Sequence, residues 1–547
     1  MNTIKSTFLV WVIIGMLALH AQASDIATRL GIVPRPKSVQ VIGEETYQLK
    51  DNTKLFYDAE GKAVAQYLSD FLKAPLGYTL ESEKLKKVKA KGIILRVDKE
   101  LETKEVEGYS LTSNKDRIEI IGKSPAGLFY GVQTLLQLLP GEVYASKIKA
   151  DVEWEIPSVQ ILDEPLFTRF RGLHVDVSRH FRTKEEMLQV VDYLAMHKMN
   201  TLHIHLTDDA GWRIEIKAYP KLTEIGAIGQ HGSEGEGEPL FFTQKDLKEI
   251  IAYAKSRYIK VFPEIDMPGH MMATIKAYPH LKSPKDLREP AKVIRGDEKG
   301  LEFCRNVLKE VRDVFGEVPI HIGFDEINLG SKDPIYTDEK ITAFAQALTT
   351  YVKEKLGVTP IVWDDAFEKG LQDKETLVHW WRPGKMHWWS HLEMTIDQKV
   401  QKLDQPYILS PANWTYFDMK NAEGYPGQGW AGVVSVDKIY NWEPFRDLVD
   451  ADPTKRHLAQ GIIGCTWSEI IYDFKGFQER TFPRIAALTE KAWGQSIEND
   501  PKKPDWQTWR DEVLIKKQLP RYEAMQIYYW SKDKPEDLVK VKAGKLD

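Results

Sequence analysis

The sequence predicts an α/β protein in which a (β/α)8 TIM barrel is preceded by a small α+β domain. Three observations carry that prediction. From about residue 168, short β-rich runs alternate regularly with amphipathic helical stretches. Eight such runs fit within the next roughly 330 residues, a count and a length that suit a closed (β/α)8 barrel. Residues 25 to 160 follow a different, mixed rhythm, which sets them apart as a separate domain.

The elements follow in chain order. Lys5 precedes an apolar run, FLVWVIIGMLAL over residues 8–19, and AQA closes it at Ala23. A run that short does not span a bilayer, and its basic lead-in and A-x-A end have the layout of a secretory signal peptide over residues 1–23. The expectation is an exported protein, periplasmic or extracellular, with no membrane span in the mature chain. No cysteine lies near the cleavage point, so lipid attachment is not indicated. Residues 24–165 mix strand-like runs (SVQVIG, TKLFYD, KGIILRV, RIEIIG) with two helical stretches, AVAQYLSDFLKAPLG and AGLFYGVQTLLQLL. They hold no cluster of chemical groups and are expected to be a non-catalytic α+β scaffold.

The barrel is expected over residues 166–500. Its strand runs are RGLHVDVS (171–178), TLHIHLTD (201–208), YIKVFPEID (258–266), VPIHIGFDE (318–326), TPIVWDDA (359–366), TLVHWW (376–381), QPYILSPAN (405–413) and IIGCTWSE (462–469). Between them, stretches such as TKEEMLQVVDYLAMHKM, TQKDLKEIIAYAKSR and TDEKITAFAQALTTYVKEKLG space apolar residues three and four apart and put acids in the first turn, which reads as helix. Residues 501–547 are expected to form a helical tail packing on the barrel.

Composition narrows the partner. The 547 residues are 42% hydrophobic, with 16 Trp and 22 Tyr, enough for sizeable cores and for aromatic binding surfaces. Removing residues 1–23 deletes only Lys5 among the charges, leaving 74 basic residues against 80 acidic ones. So balanced a chain has no electrostatic footprint for nucleic acid, and its partner is expected to be small or neutral. The two cysteines, Cys304 and Cys465, make neither a disulfide framework nor a metal site.

Catalytic groups of a (β/α)8 barrel sit at the C-terminal ends of its strands. Those ends offer Asp176 and Arg179, then His203, His205, Asp208 and Asp209, then Glu264, Asp266 and His270. Next come Asp325 and Glu326 side by side, Trp363 with Asp364 and Asp365, Trp380 and Trp381, Trp414 with Tyr416 and Asp418, and Trp467 with Glu469. Acids and indoles dominate, as a sugar site requires, since indole faces stack on sugar rings and carboxylates accept from hydroxyls. The HIH pattern at 203–205 fits a metal pair, but the later strand ends carry Trp and acids in place of further imidazoles, so no metal and no other cofactor is expected.

The stretches RGLHVDVSRHF, MNTLHIHLTDDAGWRIEIKAYPKLTEIGA, VFPEIDMPGH, HIGFDE and TWSE together resemble the family 20 glycoside hydrolases, the β-N-acetylhexosaminidases. The resemblance covers the barrel and extends to the preceding domain. It implies exo-hydrolysis of terminal β-linked N-acetylglucosamine or N-acetylgalactosamine on a glycan or oligosaccharide, and leaves the natural glycan and the oligomeric state open. Sequence neighbours such as Asp325 and Glu326 share one stretch of backbone and act from nearly the same side of the scissile bond, whereas an ordinary retaining glycosidase flanks the bond with its two carboxylates. In the N-acetylated sugar that the resemblance implies, the 2-acetamido carbonyl can supply the nucleophile on the other side, closing an oxazolinium-like ring with overall retention expected.

Carried over by position, the resemblance implies Glu326 as general acid and base, Asp325 as the acetamido N–H partner, and Tyr416 as the donor to the acetamido oxygen. It implies Trp363, Trp381 and Trp467 as the indole walls, Arg179 on the 3- and 4-hydroxyls, Asp418 and Glu469 on the outer hydroxyls, and Asp208 and His270 behind the catalytic pair. The sequence leaves open whether Trp380 or its neighbour Trp381 faces the sugar. Two other readings remain, a non-catalytic glycan-binding barrel and a metal-dependent barrel amidohydrolase.

Overall fold

The computed structural model describes residues 26–86, 90–382, 394, 396–449, 452–494, 503–531 and 537–538; the leader expected over residues 1–23 lies outside them. The chain divides into two compact units, Met1–Thr168 with Thr489–Asp547, and Arg169–Leu488.

The first unit is built on a seven-stranded mixed sheet. Its strands are β1 (Ser38–Gln48), β2 (Leu55–Tyr57), β3 (Ser82–Lys84), β4 (Gly92–Val97), β5 (Tyr109–Asn114), β6 (Arg117–Gly122) and β7 (Glu155–Asp163), in the order β1-β7-β5-β6-β4-β2-β3. The helices Lys62–Leu76 and Pro125–Leu138 accompany it. Three of the strands, β3, β5 and β7, were not among the expected runs. The edge strand β3 is three exposed polar residues, SEK, and YSLTSN in β5 alternates with serines that read as turn.

The expected tail corrects in position. Among the described residues, Arg521 donates to the carbonyls of Gly31 at 2.8 Å and Gln137 at 2.7 Å, both in the first unit rather than the barrel. A buried guanidinium needs several acceptors, and these backbone carbonyls supply them. Trp493, near the end of the helix Arg484–Trp493, also donates its indole N–H to Asp163 at 3.0 Å, so the barrel unit closes before residue 500.

The second unit is the closed parallel barrel. Its strands are β8 (Phe170–Asp176), β9 (Thr201–His205), β12 (Lys260–Met267), β13 (Ile320–Gly323), β14 (Pro360–Trp363), β15 (Leu377–Trp380), β16 (Tyr407–Leu409) and β17 (Ala459–Thr466); a two-residue hairpin, β10 (Thr207–Asp208) with β11 (Gly211–Trp212), follows β9. All eight expected runs become barrel strands. The intervening helices start where the sequence offers caps: Thr183 and Thr243 each close a capping box at the head of Lys184–Met196 and Gln244–Lys255. No helix among the described residues is long and apolar enough to cross a membrane.

Alternation along the strands stacks the interior in layers. Phe170, Phe262, Ile361, Leu377, Ile408 and Ile463 form one apolar cluster, the barrel's floor. Two to four residues further along the same strands stand His174, Glu264, Trp363, His379 and Cys465, all buried. The barrel therefore turns from apolar to polar as it approaches the strand ends, where the site lies.

Candidate active site

The interior polar layer is centred on Glu264, which is 0% exposed. Trp363 donates its indole N–H to Glu264 Oε1 at 2.7 Å, fixing that ring. His205 lies on the other oxygen, with Nδ1 3.0 Å from Glu264 Oε2 and Nε2 2.9 Å from Asp208 Oδ2. Burial opposes a charged imidazole, but Glu264 and Asp208 outweigh it and push His205 up to about 10. His174, His203, His321 and His379 crowd the same layer, with ring centroids 4.7 Å apart for His174 and His203 and 5.1 Å for His203 and His321.

This layer corrects one argument from sequence. Later strands do supply imidazoles beside the HIH pair, from inside the barrel rather than from its rim. Among the described residues, ligand-type atoms gather within 4.8 Å in two places, at His174, His203 and Glu264 and at Asp208, Asp266 and His270. Glu264 in the first group already has the protonated His205 beside it, and Asp208 in the second has Arg179 and His270, so neither group is assigned a metal.

Above this layer opens a cavity of about 330 Å³. That is the small end of the roughly 300–1,000 Å³ usual for ligand pockets and suits one sugar ring rather than a chain. Arg179, His270, Asp325, Glu326, Trp363, Trp381, Tyr416, Asp418, Trp467 and Glu469 all line it, and so do Gln428 and Trp430. Of the residues to which the resemblance gives a role, Asp208 alone stands behind the wall. It accepts from Arg179 at 2.7 Å and lies 3.2 Å from His270 Nδ1, thereby holding both.

A regular strand would send Asp325 and Glu326 to opposite faces. The backbone prevents this by leaving the strand conformation: Gly323, Phe324 and Glu326 have φ of +71°, +79° and +50°. Such a conformation costs a bulky residue of order 1–3 kcal/mol and persists where packing enforces it; Phe324 is buried, its ring 6.2 Å from that of Phe344. Gly323 has a second constraint, since a Cβ there would fall 1.7 Å from Asp266 Oδ1. As a result both carboxylates face one imidazole nitrogen, with His270 Nε2 3.7 Å from Asp325 Oδ2 and 3.6 Å from Glu326 Oε2. Burial disfavours a charged His270, but Asp208, with Asp209 and Glu326, raises it well above its ordinary value.

Burial, reinforced by the nearby Asp365 and Glu326 carboxylates and opposed by His270, pushes Asp325 up to about 7. Its Oδ1 is buried with no hydrogen-bond partner. The same holds for Asp418 Oδ1 and Glu469 Oε2, which also line the cavity, and burial raises both of those carboxyls too. These three oxygens lie in the cavity lining, where they can accept from a ligand's donors.

The aromatic walls come from four strand ends. Trp381 stacks on Tyr416 with centroids 6.2 Å apart and planes 14° from parallel, and Trp467 lies 5.8 Å from Trp363. The pleat resolves the Trp380/Trp381 ambiguity: His379 points inward, Trp380 outward and Trp381 inward again. Trp380 accordingly donates to the Arg382 carbonyl at 2.6 Å and sits under Lys399, away from the cavity. Burial, foremost, keeps the Tyr416 hydroxyl protonated, with its pKa raised well above 10.

Gln428 and Trp430 were missed by the sequence reading. They lie between β16 and β17 in GYPGQGWAG, a glycine-rich loop without periodicity, where one indole among glycines is the only signal. Trp430 packs edge-on against Trp381 and Tyr416, at 5.9 and 5.8 Å.

Arg179 is held on three sides: Asp208 at 2.7 Å, Asp176 at 3.3 Å and Glu469 at 3.7 Å, with its guanidinium 5.0 Å from the Trp467 ring centroid. Only a planar fork fills this arrangement and still presents N–H groups to the cavity. Arg179→Lys is therefore expected to lower kcat/KM by about 10²-fold despite conserving charge, on the scale of misplacing a bound group by about 1 Å. Equal catalytic efficiency in the variant would reduce Arg179 to a structural role.

The family model for glycosyl hydrolase family 20, catalytic domain, matches residues 168–496, and that for glycosyl hydrolase family 20, domain 2, matches residues 29–164. A beta-hexosaminidase of Porphyromonas gingivalis is 31% identical over 512 residues, covering 88% of this chain; the chain spans 63% of that protein, less than two thirds of its length. One from Vibrio furnissii is 30% identical, covering 85% of this chain and 77% of the relative. Among solved structures, a GH20 beta-N-acetylhexosaminidase from Streptomyces coelicolor A3(2) superposes with a TM-score of 0.80 at 29% identity, covering 93% of this chain and 98% of that one. A mutant Streptomyces plicatus beta-hexosaminidase in complex with its product GlcNAc matches with a TM-score of 0.80 at 29% identity, covering 92% and 96%.

Proposed function

Because the chain belongs to glycosyl hydrolase family 20, we propose that it is an exo-acting β-N-acetylhexosaminidase that releases terminal β-linked N-acetylhexosamine with retention, using the substrate's acetamido group as nucleophile. The observation that carries the mechanism is the placing of Asp325 and Glu326 on one imidazole of His270, on a single side of a cavity of one sugar's size. The remaining lining carboxylates are Asp418 and Glu469, the latter 3.7 Å from Arg179, and they serve as acceptors for outer hydroxyls.

The reaction follows from these positions. Glu326 donates its proton to the glycosidic oxygen as the acetamido carbonyl oxygen attacks the anomeric carbon, and the bond to the leaving group breaks. Asp325 accepts the acetamido N–H and stabilises the positive charge that develops there. Tyr416 donates to the carbonyl oxygen, and Trp363, Trp381 and Trp467 enclose the acetamide and exclude water from the cyclised intermediate. Water then enters from the Glu326 side, giving up a proton to that carboxylate and opening the ring. Two inversions at one carbon return the β configuration.

The test is the acetamido group itself. A β-glucoside lacking it is expected to be cleaved very poorly beside the N-acetyl glycoside, and a thiazoline mimic of the cyclised intermediate is expected to inhibit competitively. A trapped covalent ester between the sugar and an enzyme carboxylate would overturn the mechanism.

A further inference from the structure

Glu326 and Trp381 have separate tasks in this reaction, yet one carboxylate is bonded to both. Asp365 lies on the short helix Asp364–Glu368 that follows β14 and is 5% exposed. Its Oδ2 accepts the indole N–H of Trp381 at 2.8 Å, and its Oδ1 accepts the backbone N–H of Glu326 at 3.2 Å. Arg382 pairs with the same Oδ1.

Asp365 is itself anchored. Arg382 also pairs with Glu368 at 2.8 Å, Glu368 with Lys399 at 2.7 Å, and Lys399 with Asp364, whose Oδ1 accepts the backbone N–H of Trp381 at 3.3 Å. Lys399 is 1% exposed. Burying three acids with two bases is a poor means of stabilising a fold, because desolvation cancels much of the attraction. What such a cluster does well is fix geometry, since every member has few alternative partners. Both groups held by Asp365 gain from fixing: Glu326 has a left-handed φ of +50°, and Trp381, one residue past the end of β15, has its backbone tied to Ala412 but its ring at the cavity wall.

We propose that Asp365 is a positioning residue for the hydrolysis, tying the indole wall of the acetamide seat to the backbone of the general acid so that ring closure and proton donation stay in register. The proposal rests on the glycosidase reading above. Nucleophile and acid must be aligned on one anomeric carbon at the same moment, and a displacement of about 1 Å in either costs on the order of 10²-fold.

Asp365→Asn keeps the size and one acceptor oxygen but removes the charge. Its kcat on an aryl N-acetyl-β-glucosaminide is expected to fall by roughly 10²-fold, with KM changed by less than about threefold because the cavity walls remain. Trp381→Phe, which deletes the bonded N–H and part of the wall, is expected to lose activity too, and the double variant is expected to fall by clearly less than the product of the two single losses. Additive losses, or a loss confined to KM, would overturn the proposal. Hydrogen exchange supplies a readout that needs no turnover: segments 324–329 and 377–382 are both expected to exchange about tenfold faster in Asp365→Asn, the scale of losing a hydrogen bond to a charged group, while the other barrel strands are unchanged. Unchanged exchange in both segments refutes the role of Asp365. A wild-type protein inactive on every N-acetylhexosaminide refutes the glycosidase reading instead, and the exchange result then still decides on Asp365.

Discussion

Glu326→Gln is expected to lose about 10²- to 10⁴-fold in kcat/KM on natural glycosides, the range attributed to general acid catalysis. The amide keeps the shape of the side chain and its place near His270 but has no proton to give. The leaving alkoxide of a sugar cannot depart unprotonated, so the first step stalls. On aryl glycosides with good leaving groups the same variant should lose far less in that step. A series of aryl leaving groups, read as the slope of log(kcat/KM) against leaving-group pKa, measures this. A slope unchanged from wild type would remove Glu326 from the acid role.

Asp325→Asn should behave differently, with a loss of about 10²- to 10³-fold that is similar across leaving groups. The acetamido group must be oriented and its developing charge stabilised whatever departs. Asp325 stands at about 7, through burial first and then the neighbouring Asp365 and Glu326, with His270 opposing. As pH falls through that value in the free enzyme, the carboxylate that should accept the acetamido N–H becomes protonated, and kcat/KM should fall with it. The Asn variant should lack that acidic limb. Its thermal midpoint should hold or rise at neutral pH, since a buried, mutually repelling carboxylate has been removed. If Asp325→Asn instead shows the steeper leaving-group dependence, the two roles are exchanged.

The two carboxylates also show how far sequence reaches. The barrel was legible because its signals are local: eight β-rich runs alternating with amphipathic helical stretches became eight strands, and most of the cavity's lining comes from residues at or just beyond strand ends. Gln428 and Trp430 escaped because they lie on a loop, where no period ties position to orientation. The tail's partners escaped for a related reason. Arg521 is close to Gly31 and Gln137 only in space, and nothing within residues 501–547 encodes that.

Taken alone, then, the amino-acid sequence determined the kinds of groups at each strand end, because strand periodicity and residue chemistry are properties of a few neighbouring residues. Tertiary structure alone decided how those groups face one another. Left-handed backbone at Gly323, Phe324 and Glu326 turns two adjacent acids to one side, and the pleat selects Trp381 over Trp380. Packing across the barrel gathers four imidazoles round Glu264, and Asp365 joins two strand ends by hydrogen bonds. These depend on distances between residues tens to hundreds of positions apart, which are fixed only when the barrel closes.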